Sequence, residues 1–322
     1  MMISLAFKAL FSMLISPRRM HGRGWGTEFV ARATRGLIEK EQALPVAEFR
    51  AKLEAVRAPD AALKKVKFKQ QETADVSCLL ALPTGIKGAA KRHEKIIVYL
   101  HGGGYVVGSS TMYKTFIAQL AVAANATVLA PDYRLSPEHA FPASQDDCVA
   151  VVEQIKRDYP NAALIVAGDS AGGALAIDVA LTLAKKNTSQ PIDGLLLISP
   201  WVDPLASEGS IISNADNDIL SKPFLDESYA EHIQQGDSHN ERTYFVNTDL
   251  SALPQTYIQA AGGELFLDQI ISFKNRAEQQ GVEIKMDIFA SQFHVFQCLA
   301  PMLKDSKKAI IKIGSFFRIF EQ

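Results

Sequence analysis

Cysteine is scarce: Cys78, Cys148 and Cys298 are the only three in 322 residues. An odd number at such wide spacing suits neither a disulfide framework nor a zinc site. Reduced thiols in a cytoplasmic protein are the expectation. Net charge is equally scant, with 34 Lys and Arg against 35 Asp and Glu, so nothing in it favours a nucleic-acid partner. No internal repeat or low-complexity tract appears, which excludes a solenoid. Nor is there an apolar run long enough for a bilayer, which takes about 20 residues. The apolar first fifteen residues, MMISLAFKALFSMLI, hold Lys8 in their middle. A secretory leader needs its positive charge ahead of the apolar stretch and a small-residue cleavage point behind it, and neither is evident.

What is present is ordinary globular usage, 48% hydrophobic and 21% charged, in a chain long enough for a sizeable core. The charge balance hides an asymmetry, because residues 1–70 carry 14 Lys and Arg against 6 Asp and Glu. Phe7, Leu10, Phe11 and Leu14 recur at helical spacing. The default reading is an amphipathic helix docked on the protein's own functional face. A second reading lays residues 1–20 on a membrane surface.

After about residue 60, short apolar runs alternate with longer helical patterns. Strands are expected at 66–70, 75–83, 95–100, 126–131, 163–168, 194–199, 255–260 and 283–290. The four between 95 and 199 are nearly continuous Val/Ile/Leu runs, as in parallel strands buried on both faces. Helices are expected over 112–124, 143–159, 171–186, 268–281 and 299–320. This alternation implies an α/β fold with a doubly wound, mostly parallel sheet. Ligands of such sheets sit beyond the carboxyl ends of the strands, so a site is expected at those ends. Residues 201–249 break the rhythm with a polar loop and one helical stretch over 221–235, a length that suits a lid or substrate wall.

The strongest signal is Gly168-Asp169-Ser170-Ala171-Gly172-Gly173, directly after a buried strand and opening an Ala-rich helix. It matches the G-x-S-x-G elbow that exposes a nucleophilic serine at the top of a sheet. The helix start behind it supplies N–H groups and partial positive charge where an oxyanion would form. His101-Gly102-Gly103-Gly104-Tyr105 lies at another strand end. Glycines there let the backbone approach a ligand closely, and an HGGG loop together with the N–H after the nucleophile, that of Ala171, makes an oxyanion hole. No Lys-Ser/Thr follows, which disfavours a phosphate loop. His101 reads as a hydrogen bonder that orders the loop.

A serine nucleophile needs a base, and the base an orienting carboxylate. Of seven histidines, only His294 lies beyond residue 250 and just past an expected strand. Two carboxylates follow the strand at 255–260. Glu264 is nearer its end, while Asp268 falls a turn into the next helix and reads as a packing or capping residue. Asp132, Arg134 and Glu138 read as a mutual salt-bridged network without a reactive group.

HGGGY, DYRLSPEHAFPA (132–143), GDSAGG and the pair E-x3-D with FHVF, in this order, resemble the hormone-sensitive-lipase family of carboxylesterases over residues 66–300. The resemblance implies an α/β-hydrolase fold, eight-stranded and roofed by a helical cap. It divides the chain into a cap segment 1–60, core 61–200, a cap insert 201–249 and core 250–322. It further implies an oxyanion hole at Gly103, Gly104 and Ala171, and a bracing role for residues 133–138. The family's usual acid motif is Asp-Pro-Leu-x-Asp, with the first Asp catalytic; Glu264-Leu265-Phe266-Leu267-Asp268 departs from it, and the alignment favours Glu264.

The implied activity is hydrolysis of short-to-medium acyl esters by Ser170, His294 and Glu264, with no metal and no organic cofactor. Alternatives are a lactonase or amidase on the same triad, or a non-catalytic small-molecule binder on the same fold. The expected partner is a small ester; an edge strand or C-terminal helix leaves a homodimer open.

Overall fold

The computed structural model describes residues 20–56, 60–85, 94–186, 192–300 and 302–320. The helix expected over the first fifteen residues, and the membrane reading of residues 1–20 apart from Met20, lie outside them. Among the described residues no helix is long and apolar enough to cross a membrane.

The strands are β1 (Val66–Thr73), β2 (Val76–Pro83), β3 (Lys95–Leu100), β4 (Thr127–Pro131), β5 (Ala163–Asp169), β6 (Gly194–Ile198), β7 (Thr256–Ala261) and β8 (Ile284–Phe289). They form one sheet in the order β1-β2-β4-β3-β5-β6-β7-β8. Pairing is parallel from β4 through β8, whereas β2 runs antiparallel to both β1 and β4. β3 and β6 are buried along their whole length, and β5 everywhere but Ala163, because both faces are covered. On one face Ile96, Val98, Val166 and Leu197 join a core with α4 (Ala143–Asp158) and α5 (Ala171–Lys186). On the other, Ile97, Ile165, Leu196 and Ile198 pack with α3 (Lys114–Ala124) and α9 (Lys304–Phe317). Each such side chain, wholly removed from water, contributes about 1.5–3 kcal/mol.

The remaining helices are α1 (Trp25–Glu41), α2 (Val46–Glu54), the single turn α6 (Ser210–Ser213), α7 (Lys222–Ile233) and α8 (Leu267–Gln279). Ser221 caps α7 by accepting from Phe224 N, so the helical stretch expected in the insert forms. α6 falls within the stretch read as polar loop. The last helix starts at Lys304 and not at 299, because Leu303 has extended backbone and a 3-10 turn, Phe296–Leu299, intervenes.

Two devices aim the sheet's upper edge. At the end of β5 the chain reverses through Ser170 at φ 54° before α5 begins. A Cβ on Gly168 would lie 2.1 Å from Gly172 O, and one on Gly172 would lie 2.1 Å from Leu100 O. Neither position admits a side chain, so β5 and α5 close tightly under the serine. Ser170 is fixed from β6 as well, its N–H donating to Ile198 O at 2.9 Å and its carbonyl accepting from Trp201 N at 3.0 Å.

Candidate active site

Ser170 and His294 border one cavity of about 580 Å³ at the carboxyl edge of the sheet, with Gly103 and Gly104 beside them. Leu37 and Ile38 of α1, Phe49 and Leu53 of α2, and Phe224 and Leu225 of α7 line it higher up. Phe49 meets Phe224 edge-on, with centroids 6.3 Å apart, so α2 and α7 touch at the cavity wall. The side chains these three helices give to the cavity are apolar apart from Thr34.

His294 and Glu264, the candidate base and acid, meet directly. His294 Nδ1 donates to Glu264 Oε2 at 2.9 Å, while Glu264 Oε1 accepts from Ala261 N at 2.7 Å. Both side chains are buried, and the Phe266 ring stands edge-on to the imidazole at 4.9 Å. Burial opposes the imidazolium, but the Glu264 hydrogen bond and charge, helped by Asp218 and Asp169, outweigh it and hold the His294 pKa above its ordinary value. Asp268 is engaged elsewhere: its carboxylate accepts from Ser210 N at 2.8 Å and its N–H donates to Ser210 Oγ at 2.9 Å.

The glycine loop is shaped for donors. Gly103, Gly104 and Tyr105 all have positive φ, and Gly103 O accepts from Val107 N at 2.9 Å. Among the described residues, the N–H groups of Gly103, Gly104 and Ala171 have no hydrogen-bond partner. Gly103 and Gly104 also line the cavity, and an unpaired backbone donor is available to a ligand there.

The braces behind this loop were only partly visible in the sequence. Asp169 is buried and accepts from Gly102 N at 2.9 Å, from Tyr113 OH at 3.0 Å and from Tyr99 OH. Burial raises its pKa against those hydrogen bonds. His101 donates from Nδ1 to Gly102 O at 2.8 Å and stacks on Tyr133 at 4.4 Å, with burial lowering its pKa. A neutral, loop-ordering role fits the sequence reading. From the insert, His232 stacks on Tyr105 at 3.9 Å and is bonded to Ser136 and Gln145, and burial pushes its pKa down to about 3. Nothing in the spacing of His232 pointed to that role.

One expectation is corrected. Asp132, Arg134 and Glu138 do not form a network with one another. Arg134 pairs with Asp147 at 2.7 Å, Glu138 with Arg50 of α2 at 2.9 Å, and Asp132 accepts from both N and Oγ of Ser110. The backbone turns these neighbours in three directions, so each finds its partner elsewhere. Arg50 also donates to Val106 O and Ser136 O, which ties α2 to the glycine loop.

Further residues hold the loops that carry Glu264 and His294 and were missed from sequence. Arg23 is fully buried and donates to Ser291 O, Gln292 O and Asn217 O. Asp218 accepts from His294 N and Leu265 N. A lone arginine and a lone aspartate carry no spacing signal.

With this geometry in view, the relatives are informative. The family model described as alpha/beta hydrolase fold matches residues 97–298. An acetyl-hydrolase of Streptomyces hygroscopicus is 30% identical over 240 residues, spanning 71% of this chain and 77% of its own. A solved hormone-sensitive lipase from a metagenome library is 30% identical with TM-score 0.81, covering 89% of this chain and 96% of that one. A solved esterase of the bacterial hormone-sensitive lipase family gives TM-score 0.80 at 28% identity, over 88% of this chain and 96% of the other. The likeness thus runs past the matched core into the segments that roof the cavity, and the chain belongs to the alpha/beta hydrolase fold family, among the carboxylesterases of the hormone-sensitive-lipase group.

Proposed function

We propose that the protein hydrolyses short-to-medium acyl esters by two-step acyl transfer, with Ser170 as nucleophile, His294 as general base and Glu264 as its orienting acid. The observation that carries this reading is the His294–Glu264 hydrogen bond at the floor of a cavity that Ser170 also borders. Glu264 accepts at Nδ1 and so leaves Nε2 unprotonated to take the Ser170 proton as Oγ attacks the ester carbonyl. The N–H groups of Gly103, Gly104 and Ala171 hold the oxyanion, each such donor being worth about 10²–10³ in rate. His294 returns the proton to the leaving alcohol. Water, deprotonated by the same imidazole, then releases the acid and restores Ser170.

Of the cap segment 1–60, the described helices α1 and α2, together with the insert 201–249, act as the cap over core segments 61–200 and 250–322. The apolar wall of Leu37, Phe49, Leu53 and Phe224 takes the acyl chain, in a cavity whose size lies within the roughly 300–1,000 Å³ of ordinary ligand sites. A p-nitrophenyl ester series from acetate to palmitate tests this. Hydrolysis is expected to peak at short or medium chains and to fall steeply at palmitate. A silent series with a serine that ignores fluorophosphonate probes would sink the reading.

The acid side of the pH profile follows from the raised His294 pKa. Protonated His294 cannot accept the serine proton, so kcat/KM falls as pH drops through that pKa, which lies above the ordinary value of 6.5. The limb is expected at higher pH than a free histidine would give. A limb below 6.5 would contradict the assignment of His294 as base in this environment.

A further inference from the structure

The insert between β6 and β7 does more than roof the cavity. Its stretch 214–218 lies against the two loops that carry the proposed acid and base. Asn214 Nδ2 donates to Gly262 O at 3.2 Å and to Glu264 O at 3.0 Å. Four residues on, Asp218 is 1% exposed and spends both carboxylate oxygens on backbone. Oδ1 accepts from His294 N at 2.9 Å and Ile219 N at 2.8 Å; Oδ2 accepts from Leu265 N at 2.8 Å. One side chain thus joins the base itself to the residue after the acid, 29 positions apart in sequence.

We propose that Asp218 is a positioning residue for acyl transfer, its carboxylate fixing the backbone of His294 relative to that of the Glu264 turn and placing a negative charge beside the imidazole. This rests on the triad reading given above.

The observations favour a working role over plain packing. A buried carboxylate is costly unless it is paired or well hydrogen-bonded. Asp218 makes no ion pair with Lys or Arg among the described residues. Its one cationic counterpart is the imidazolium that His294 becomes when it holds the serine proton. That attraction exists only while the proton is on the ring, so it favours the transition state over the resting enzyme. An asparagine would turn an N–H2 toward one of the donating amides and forfeit both the bond and the charge.

The base loop is also held from its other side. Arg23 donates to Asn217 O at 2.7 Å, to Ser291 O at 2.9 Å and to Gln292 O at 3.2 Å. The N-terminal segment, the insert and the base loop therefore share one buried junction. The charged groups facing His294 are Glu264 from the β7–α8 turn, Asp218 from the insert and Asp169 from the end of β5, with Arg23 behind the loop.

The test compares Asp218→Asn with the unaltered enzyme on p-nitrophenyl butyrate, reading kcat and KM separately and kcat/KM across pH. A displacement near 1 Å at the reacting atoms costs up to about 10²-fold. The expected result is a kcat lower by roughly 10- to 100-fold with KM little changed. Loss of the negative charge lowers the His294 pKa, so the acidic limb moves to lower pH, by roughly half a unit or more. A kcat within about twofold of the unaltered enzyme, or an unmoved acidic limb, overturns the proposal, since a packing role alone moves no limb. Ser170→Ala and Glu264→Ala run alongside: if both stay active, the triad reading fails, whereas silent controls beside an unaltered Asp218→Asn sink Asp218 alone. Thermal melting checks the fold. Should Asp218→Asn unfold, Asp218→Ser, which leaves room for water, carries the same measurements, and unfolding of both overturns the proposal in favour of a fold-holding residue.

Discussion

Replacing Ser170 by alanine is expected to lower ester hydrolysis by about 10⁴- to 10⁶-fold, the range seen when a triad nucleophile is removed. The loss comes from chemistry, not from the fold. Alanine keeps the backbone of the turn, the Ser170 N–H still reaches Ile198 O, and Trp201 N still reaches the carbonyl at 170. The donors of Gly103, Gly104 and Ala171 survive, so a small residual rate above water is expected. Steady-state hydrolysis of p-nitrophenyl butyrate, with fluorophosphonate labelling and a thermal melt on the same preparation, separates these contributions. A variant that keeps the fold and hydrolyses at the original rate would place the nucleophile elsewhere.

Glu264→Ala is expected to cost about 10³- to 10⁴-fold in kcat/KM, and Asp268→Ala very little. The two carboxylates are four residues apart but do different work. Glu264 is buried against His294 Nδ1 and Ala261 N. Without it the imidazole loses both its tautomer and its counter-charge, and the Ala261 N–H is left unsatisfied. Asp268 is exposed and holds α6 through Ser210. Its removal loosens a surface turn without touching the cavity floor. Parallel kcat/KM values for the two variants decide the matter, and the reverse ranking would overturn the assignment.

The central strands were legible because their sequences are one-sided in chemistry. β3 and the run into β5 are continuous apolar segments, and a strand buried on both faces needs nothing else. The serine turn was legible because its glycines answer to contacts near 2 Å that no side chain survives. The hairpin between β1 and β2 was harder. Its two turn residues, Ala74 and Asp75, have positive φ, yet alanine gives none of the usual glycine or asparagine signal. Glu138 was misassigned because its partner Arg50 lies 88 residues upstream, and charge pairing at that separation is set by the tertiary fold alone. Asp218 and Arg23 were missed for the same reason. The groups they bond to at the site are backbone groups, and any residue supplies those.

Two non-glycine residues have left-handed backbone: Ser170 at φ 54°, the proposed nucleophile itself, and Val295 at φ 50°, directly after the proposed base. Such conformations cost of order 1–3 kcal/mol each and persist only where the surroundings impose them. A search for heat-resistant variants that ignored turnover would therefore be drawn to glycine at these positions. At 170 the gain in robustness would erase the proposed nucleophile. At 295 it would slacken the chain that aims the imidazole. Engineering for durability should begin far from this edge of the sheet, because here resilience and reactivity compete for the same residues.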